Sequence, residues 1–318
     1  SILARLVDAF GGPAQVLDAS DEAWAFHADV RATTARRLRD AQRDEARRRL
    51  QLRAFHDHGM RLLDRDDVDF PRLLREAPDA PPALFARGEL RPEDNLAVAI
   101  VGPRLATPYG VEMARRLARD LAPVVTVASG LAHGIDSTAH QATLDAGGRT
   151  IGCAACGLDQ DYPQGGADLR EAITRSGALL SPWPPLTKPA THQFPQRNAV
   201  LAGMCLAVVV VEASEKSGAL VTARAAADAN REVFAVPGDA TRRNSAGANQ
   251  LLREGAAPAT CAGDILEDLA PRLSAELAAL LATRQEAAAA AAPPPPVDLT
   301  DAEAAILAVL AHDAMPYD

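Results

Sequence analysis

The pattern of hydrophobic and polar residues changes character near residue 97 of this chain. From there on, short apolar and β-branched runs recur at intervals of roughly 26 residues, the length of one strand and one helix. These runs begin near Ala97, Val124, Thr150, Ala178, Leu206 and Glu232. Helical spacing of apolar residues fills the intervals, at 109–121, 135–146, 167–176, 196–204, 218–229 and 247–254. The alternation predicts an α/β fold with a parallel sheet that carries helices on both faces.

One strand candidate is apolar at successive positions instead of alternate ones. It covers 206–211, where the sequence is LAVVVV. A continuous apolar run is typical of a strand that is covered on both faces, so we place this strand inside the sheet. A further short strand is predicted at 83–86, within a segment rich in Pro and Asp.

The segments that flank the sheet region have different patterns. Residues 1–58 are helical in pattern and predict a small all-α module, followed by an α/β domain over 59–284. The Ala- and Pro-rich composition of 285–296 predicts a linker. Near the start of residues 297–318, Thr300 and Glu303 have the spacing of a capping box. Because one helix cannot form a core, we expect the chain to end inside a small third domain.

The composition predicts a cytoplasmic protein with a buried core. The chain is 48% hydrophobic, and no apolar run approaches the length of a membrane span. The start of the chain lacks the pattern of a signal peptide. Four cysteines in 318 residues do not make a disulfide framework, which fits a reducing compartment.

Charge is distributed unevenly along the chain. The net charge of −9 argues against a classical basic DNA-binding protein, but it does not exclude a local basic groove. Residues 31–53 hold nine Arg against Asp40, Asp44 and Glu45. Two interpretations of this stretch stay open: a solvated helical face, or an auxiliary contact to phosphate.

Loops that follow the predicted strands carry the candidate chemistry. In an open parallel sheet these loops gather at one edge, where ligands bind. They combine small residues, helix N-termini and scattered cations, which are the features of a phosphate site. Of the 33 basic residues only Lys188 and Lys216 are lysines, and both fall in these loops. The sequence therefore predicts a nucleotide or a nucleic-acid backbone as the ligand.

Individual positions in these loops suit an anion. Arg104 follows the first main strand and offers a planar fork to phosphate. Arg197 lies in the first turn of a predicted helix, where a cation opposes the helix dipole unless an external anion is present. Ser217 and Gly218 begin another helix. A structural alternative stays open at each position, namely a surface Arg at a turn or an ordinary helix cap.

Catalytic motifs are missing from the same loops. The GxGxxG, Walker A and GxSxG patterns are absent. A triad of Ser129, His133 and Asp136 would need a spatial arrangement that spacing cannot show. Cys153 and Cys156 have no second cysteine pair to complete a zinc site, so we predict that they are core residues. We expect no catalytic residue, no metal and no cofactor.

Seven segments occur in an order that resembles one known family. They are VGPRLATPYG (from Val101), SGLAHGIDSTAH (from Ser129), GLDQDYP (from Gly157), FPQRNAVLAGM (from Phe194), VVVVEASEKSGALVTA (from Val208), VFAVPGD (from Val233) and GANQLLREGA (from Gly247). Together they are similar to the DNA-processing protein A family, also called DprA or Smf, over about residues 62–266.

The resemblance implies an extended Rossmann-like fold that binds single-stranded DNA and is not an enzyme. It implies a homodimer that protects incoming single strands and loads RecA during natural transformation (competence), with single-stranded DNA-binding protein as a further partner. The N-terminal module would be SAM-like or helix-hairpin-helix-like, and 297–318 would begin a winged-helix-like domain. The implied DNA-binding residues are Gly102, Arg104, Ser129, Gly130, His133, Gly134, Lys188, Phe194, Arg197, Asn198, Lys216, Ser217, Gly218 and Thr222.

Two departures from the family pattern affect the expected site. Gln164 stands where many members have Lys, and Pro103 stands where they often have Ser. Arg170 and the 31–53 stretch are candidate substitutes for the missing lysine. Two rival functions remain: a nucleotide phosphoribohydrolase-like Rossmann enzyme, whose PGGxGTxxE motif is absent here, and an adaptor that recognises only protein partners.

Overall fold

The N-terminal part of the chain is helical and has an apolar core of its own. The structure is a computed structural model and describes residues 6, 9–11, 13–28, 30–78 and 80–275. The helices are α1 (Pro13–Asp18), α2 (Asp21–Ala28), α3 (Ala32–Arg43) and α4 (Glu45–Asp57). Trp24 is buried in their core, its Nε1 donates to Val16 O at 2.9 Å, and the Arg39 guanidinium lies 4.1 Å from its ring centroid.

Within the described residues, nine strands alternate with helices and form one sheet. The strands are β1 (Arg61–Asp64), β2 (Ala83–Gly88), β3 (Ala97–Val101), β4 (Thr126–Ser129), β5 (Thr150–Cys153), β6 (Ala178–Ser181), β7 (Ala207–Val210), β8 (Glu232–Ala235) and β9 (Ala257–Pro258). The helices are α5 (Arg72–Glu76), α6 (Pro108–Leu121), α7 (Ile135–Asp145), α8 (Ala167–Ser176), α9 (Gln193–Met204), α10 (Gly218–Asp228), α11 (Arg243–Arg253) and α12, which is helical over 262–275; a short 3-10 helix covers Pro92–Asn95.

The order of the strands in the sheet is β1-β2-β6-β5-β4-β3-β7-β8-β9. All pairs from β6 to β9 are parallel, whereas β1 and β2 form an antiparallel extension at one edge. The chain runs outward from β3 to β6 and then returns to place β7 on the other side of β3. This reversal is the point at which ligands bind in open α/β sheets.

Two apolar clusters cover the two faces of the sheet, as the sequence predicts. Ala99 and Val208 pack with α9 and α10, while Val98 and Val209 pack with α6, α7 and α12. The predicted α/β fold with a mainly parallel sheet is confirmed. All four residues of β7 are fully buried, in agreement with the predicted interior strand. No helix among the described residues has the length and the apolar character that a membrane crossing needs.

Other boundaries differ from the prediction or are not described. The hydrophobic pattern predicted neither edge strand, because β1 buries only Leu63 of its four residues and β9 consists of two residues, Ala257 and Pro258. Helix α9 begins at Gln193, three residues before its predicted start. The side chain of Gln193 is fixed by a hydrogen bond from Ala190 N to its Oε1 at 2.6 Å. The predicted linker 285–296 and the predicted winged-helix-like segment 297–318 lie outside the described residues.

One buried histidine couples the stability of this fold to pH. His140 on α7 is fully buried, and burial lowers its pKa to about 3. Thr150 Oγ1 donates to Val127 O, so it accepts the Nδ1 proton of His140 across 2.6 Å. His140 Nε2 has no hydrogen-bond partner in the described structure, so a proton added there would be buried and unpaired.

We expect acid to weaken the fold through His140. The unfolded chain takes up a proton near the ordinary histidine pKa of 6.5, whereas the folded chain does so only at about 3. The contribution of neutral His140 to the free energy of unfolding is therefore complete above pH 6.5. About 2 kcal/mol of it is lost by pH 5. Urea unfolding at pH 7 and pH 5 measures this loss, and His140→Leu should remove it. An equal pH dependence in parent and variant would contradict the assignment.

Candidate nucleic-acid interface

A crevice opens at the carboxyl ends of the strands, where the strand order reverses between β3 and β7. Its volume is about 390 Å³. The residues that line it come from loops and helix starts far apart in sequence: Val101, Gly102, Pro103, Arg104, Gly130, Ala132, Asp136, Phe194, Arg197, Asn198, Leu201, Ser217, Gly218, Ala219 and Thr222. Nine of the fourteen predicted DNA-binding positions are among them, and His133 lines an adjoining pocket.

Three side chains form the mouth between the crevice and the adjoining pocket. The exposed Arg104 guanidinium lies 5.3 Å from the Phe194 ring centroid, within cation–π range. Arg104 Nη2 also approaches Tyr162 Oη at 3.5 Å, the limit of a hydrogen bond. The rings of Tyr162 and Phe194 pack edge to face, with centroids 5.9 Å apart. The mouth therefore presents one cation beside two aromatic rings.

The loop that carries Arg104 is fixed by direct packing on the loop after β4. Ile135 N donates to Pro103 O at 3.3 Å. Gly134 has a φ of 81°, and a Cβ there would collide with the carbonyl oxygens of Pro103 and Arg104. Only glycine allows this backbone conformation and this close approach at once. The predicted position Gly134 thus sets the place of Arg104 and does not line the crevice.

A buried charge network lies beneath the loop after β4. Arg197 Nη1 donates to Gly130 O and, at 2.7 Å, to Cys153 O, while Nε donates to Asn198 Oδ1 at 2.9 Å. Asp136 Oδ2 accepts from Ala132 N at 3.2 Å. Burial raises the pKa of Asp136, and the charge of Arg197 opposes that rise. A Cβ at position 130 would lie 2.6 Å from both Arg197 Nη1 and Asp136 Oδ2, so Gly130 has no room for a side chain.

The placement of Arg197 differs from the sequence interpretation. From the helix dipole we expected an external anion, whereas the guanidinium is buried and donates to Gly130 O, Cys153 O and the neighbouring Asn198 Oδ1. Burial lowers the pKa of Arg197, and the nearby Asp136 carboxyl opposes that shift. Arg197 therefore positions Gly130 and the end of β5 beneath the crevice.

The N-terminus of α10 forms the opposite wall. Ser217 is the N-cap, and its hydroxyl accepts from Ala219 N at 3.3 Å. Asn198 Nδ2 on α9 reaches Gly218 O at 3.5 Å, and the buried Thr222 donates to the same carbonyl at 3.4 Å. A Cβ at Gly218 would meet no atom within 4 Å, so the helix start is open toward the crevice. Backbone N–H groups at such a start favour a negatively charged ligand.

A residue without a predicted role, Glu212, fixes the start of α6. This buried carboxylate lies two residues after the end of β7 and accepts from Thr107 N at 3.0 Å and from the Thr107 hydroxyl. Thr107 in turn caps α6 by accepting from Gly110 N at 3.2 Å. Glu212 thereby holds the α6 end of the loop after β3, and the hydrogen bond from Ile135 N to Pro103 O holds the other end. An acidic residue directly after the most apolar strand is the sequence signal that could have identified this position.

Arg170, a candidate substitute for the missing lysine at position 164, faces inward. It is buried, and it donates to the carbonyls of Leu158, Gln160 and Tyr162 at 2.9, 2.6 and 2.9 Å. Burial lowers its pKa. Arg170 therefore orders the loop that carries Tyr162, and its donors are not turned toward an external phosphate.

The remaining predicted positions are not among the residues that line the crevice. Lys188 and Lys216 are exposed on neighbouring loops. Ser129 is buried and its hydroxyl donates to Ile100 O at 2.6 Å, whereas His133 is exposed. Buried serine and exposed histidine do not form the hydrogen-bonded pair that a hydrolytic triad needs. Cys153 and Cys156 are buried and free, as predicted, and the described residues contain no cluster of metal-ligating side chains.

Comparisons with known proteins identify a family over most of the described chain. The family model for DNA recombination-mediator protein A matches residues 61–270. The chain is similar to the DNA processing protein DprA of Bacillus subtilis, with 36% identity over 223 residues that cover 70% of this chain and 75% of the relative. It is also 39% identical to protein Smf of Escherichia coli over 210 residues, covering 65% of this chain and 56% of that protein.

Two solved structures share the fold. DNA processing protein A of Streptococcus pneumoniae superimposes with a TM-score of 0.74 at 30% identity, covering 84% of this chain and 92% of that one. DNA processing protein A of Helicobacter pylori superimposes with a TM-score of 0.60 at 28% identity. The structure of that protein was reported for its single-stranded DNA binding mode. That match covers 67% of this chain and 96% of the other.

Proposed function

Since this chain belongs to the DNA recombination-mediator protein A family, we propose that it binds single-stranded DNA and acts as a recombination mediator. The observation that carries the proposal is the mouth formed by Arg104, Phe194 and Tyr162 above an open helix N-terminus. The Helicobacter pylori relative, which is described with a single-stranded DNA binding mode, supports the same ligand class.

The geometry suits an unpaired strand in two ways. Arg104 is exposed, so it can pair with a backbone phosphate at little cost in desolvation. The α10 N-terminus across the crevice offers backbone N–H groups to a second phosphate. Phe194 and Tyr162 offer ring surfaces on which an unstacked base can pack, whereas a base inside a duplex is already stacked. These features favour single strands over duplex DNA.

The finer parts of the proposal rest on family membership. They are protection of incoming strands, loading of RecA during natural transformation, contact with single-stranded DNA-binding protein, a homodimeric state and a cytoplasmic location. Asp136 and Arg197 are buried and hold loops together, so their charges have a structural role. The proposal assigns no chemical step to them.

Fluorescence anisotropy tests the proposal directly. Labelled oligo-dT and a matched duplex are titrated with the parent protein at two salt concentrations. We expect tighter binding to the single strand, weakened by salt with a slope of about 0.7 for each phosphate contact. Absence of binding to both probes would contradict the proposal and leave the adaptor function. Release of free base from nucleoside monophosphates would instead support the nucleotide-enzyme alternative.

A further inference from the structure

Helix α4 carries exposed cations that the crevice does not use. Arg47, Arg48 and Arg53 are exposed. Arg49 forms an ion pair with Glu45 on the same helix. Within the part of the chain that the structure describes, Arg47, Arg48 and Arg53 form no ion pair. By contrast, Arg39 in the preceding helix is held by Asp21 and stacked on Trp24. The Arg-rich stretch therefore divides into an arginine with a structural role and arginines that face solvent.

A hydrogen bond and an aromatic contact place α4 beside the loops of the candidate interface. Gln51 Nε2 donates to Pro185 O at 3.2 Å, and the Phe55 ring packs edge to face on Phe85 at 6.3 Å. Phe55 also packs against the apolar cluster that contains Leu131 and Ala154. Both of those residues line the pocket beside Phe194. The last turns of α4 thus support the pocket from behind.

Two of the free arginines lie on the side of α4 that contacts this loop. Arg47 and Arg48 precede Gln51 by four and three residues, so all three lie on one side of the helix. Asp44 is on this side too, but its carboxylate caps α4 by accepting from Arg47 N at 2.9 Å. Glu45 is engaged by Arg49. The surface formed by Arg47 and Arg48, called here the α4 arginine pair, remains positively charged.

The loop of Pro185, which α4 contacts, is held by hydrogen bonds and carries another cation. Leu186 N donates to Asp159 Oδ1 at 3.0 Å, and Gly157 N donates to Thr187 O at 2.9 Å. Gly157 follows the pocket residue Ala155 by two positions, and Lys188 is exposed directly after Thr187. An exposed cation therefore lies on the loop that hydrogen bonds join both to α4 and to the segment next to the pocket.

We infer that the α4 arginine pair binds backbone phosphates of the same single strand that occupies the crevice, with the strand passing over the loop of Lys188. This inference rests on the proposed function and assigns the N-terminal helices a part in it. A series of cations along a fixed surface fits a polyanion of regular charge spacing, and such contacts are independent of base sequence. The pair also supplies positive charge that Gln164, a neutral residue, does not provide at position 164.

The test uses the full chain and a length series of labelled oligo-dT, titrated with the parent, Arg47→Ala/Arg48→Ala and Arg36→Ala/Arg37→Ala. The last variant is a matched control, since Arg36 and Arg37 are exposed on α3 and it removes the same charge. Arg47→Lys/Arg48→Lys keeps the charge at the tested site. Alanine is favourable in an exposed helix, so all variants should fold, which circular dichroism verifies.

We expect the Arg47→Ala/Arg48→Ala variant to bind long oligo-dT about ten-fold more weakly, with the salt slope reduced by about 1.4 because two phosphates are no longer bound. The shortest oligonucleotides that bind should show no difference, and the lysine variant should retain most of the affinity. An equal loss in the Arg36/Arg37 control, or no loss at any length, would overturn the inference. The second result would leave the pair free for an acidic protein surface. If the parent itself bound no oligo-dT, the proposed function would fail first.

Discussion

Arg104→Ala should weaken binding to single-stranded oligo-dT about 10- to 100-fold, because it removes a charge-assisted contact to phosphate worth about 1.5–3 kcal/mol. Arg104 is exposed at the mouth of the crevice and is held beside Phe194 at 5.3 Å. The loss should be similar for all base sequences, since a phosphate carries no sequence information. The slope of affinity against salt should fall by about 0.7.

Anisotropy titrations at two salt concentrations measure both effects, and two further variants isolate the cause. Arg115→Ala on α6 removes the same charge at an exposed position outside the crevice lining and should bind like the parent. Arg104→Lys keeps the charge without the planar fork, so an intermediate affinity is expected. If the parent binds oligo-dT and Arg104→Ala binds it equally well, Arg104 is not part of the interface.

Arg197→Met should lower the free energy of unfolding by about 3–5 kcal/mol, because it removes one partner of a buried charge network. The substitution leaves Gly130 O, Cys153 O and Asn198 Oδ1 without the donor that now satisfies them. It also removes the charge that opposes the burial-driven rise in the pKa of Asp136. Urea unfolding monitored by circular dichroism measures the loss.

A second substitution keeps this prediction testable if the single variant does not fold. Asp136→Asn in the Arg197→Met background removes the uncompensated carboxylate, so the double variant should recover part of the lost stability. The thermodynamic cycle of the two variants then reports the coupling between the two charges. A loss of less than about 1 kcal/mol in Arg197→Met would show that the network contributes little to the fold.

The fold was largely accessible from hydrophobic periodicity. The apolar runs at 97–101 and 206–211 predicted strands, the second of them interior, and both pair on two sides inside the sheet. The alternation of these runs with helical patterns predicted the parallel order of the central strands. The exceptions were the two edge strands: β1, which pairs with β2 and buries one of its four residues, and the two-residue β9, which pairs with β8. An edge strand of this kind is fixed by its partner and has no clear pattern of its own.

The candidate site was predictable in membership but not in the orientation of its residues. Glycine-containing loops after parallel strands, with Arg104 and Ser217 among them, had to gather at one sheet edge, and the structure places them there. Their roles as DNA contacts stay predictions. Gly134, predicted as a contact, lies under the Arg104 loop, where two carbonyl groups leave no space for a Cβ.

The amino-acid pattern is therefore enough to predict the alternation of strands and helices, the parallel sheet and the set of loops that meet at its edge. Which charges face inward depends on the packing of the folded chain. Arg104, Arg170 and Arg197 all occur in or beside these loops, yet Arg104 is exposed and the other two are buried. The carbonyl groups that hold Arg197 belong to Gly130 and Cys153, 67 and 44 residues away in the chain. An arginine side chain can serve a phosphate or a buried carbonyl equally well, so long-range contacts decide between them.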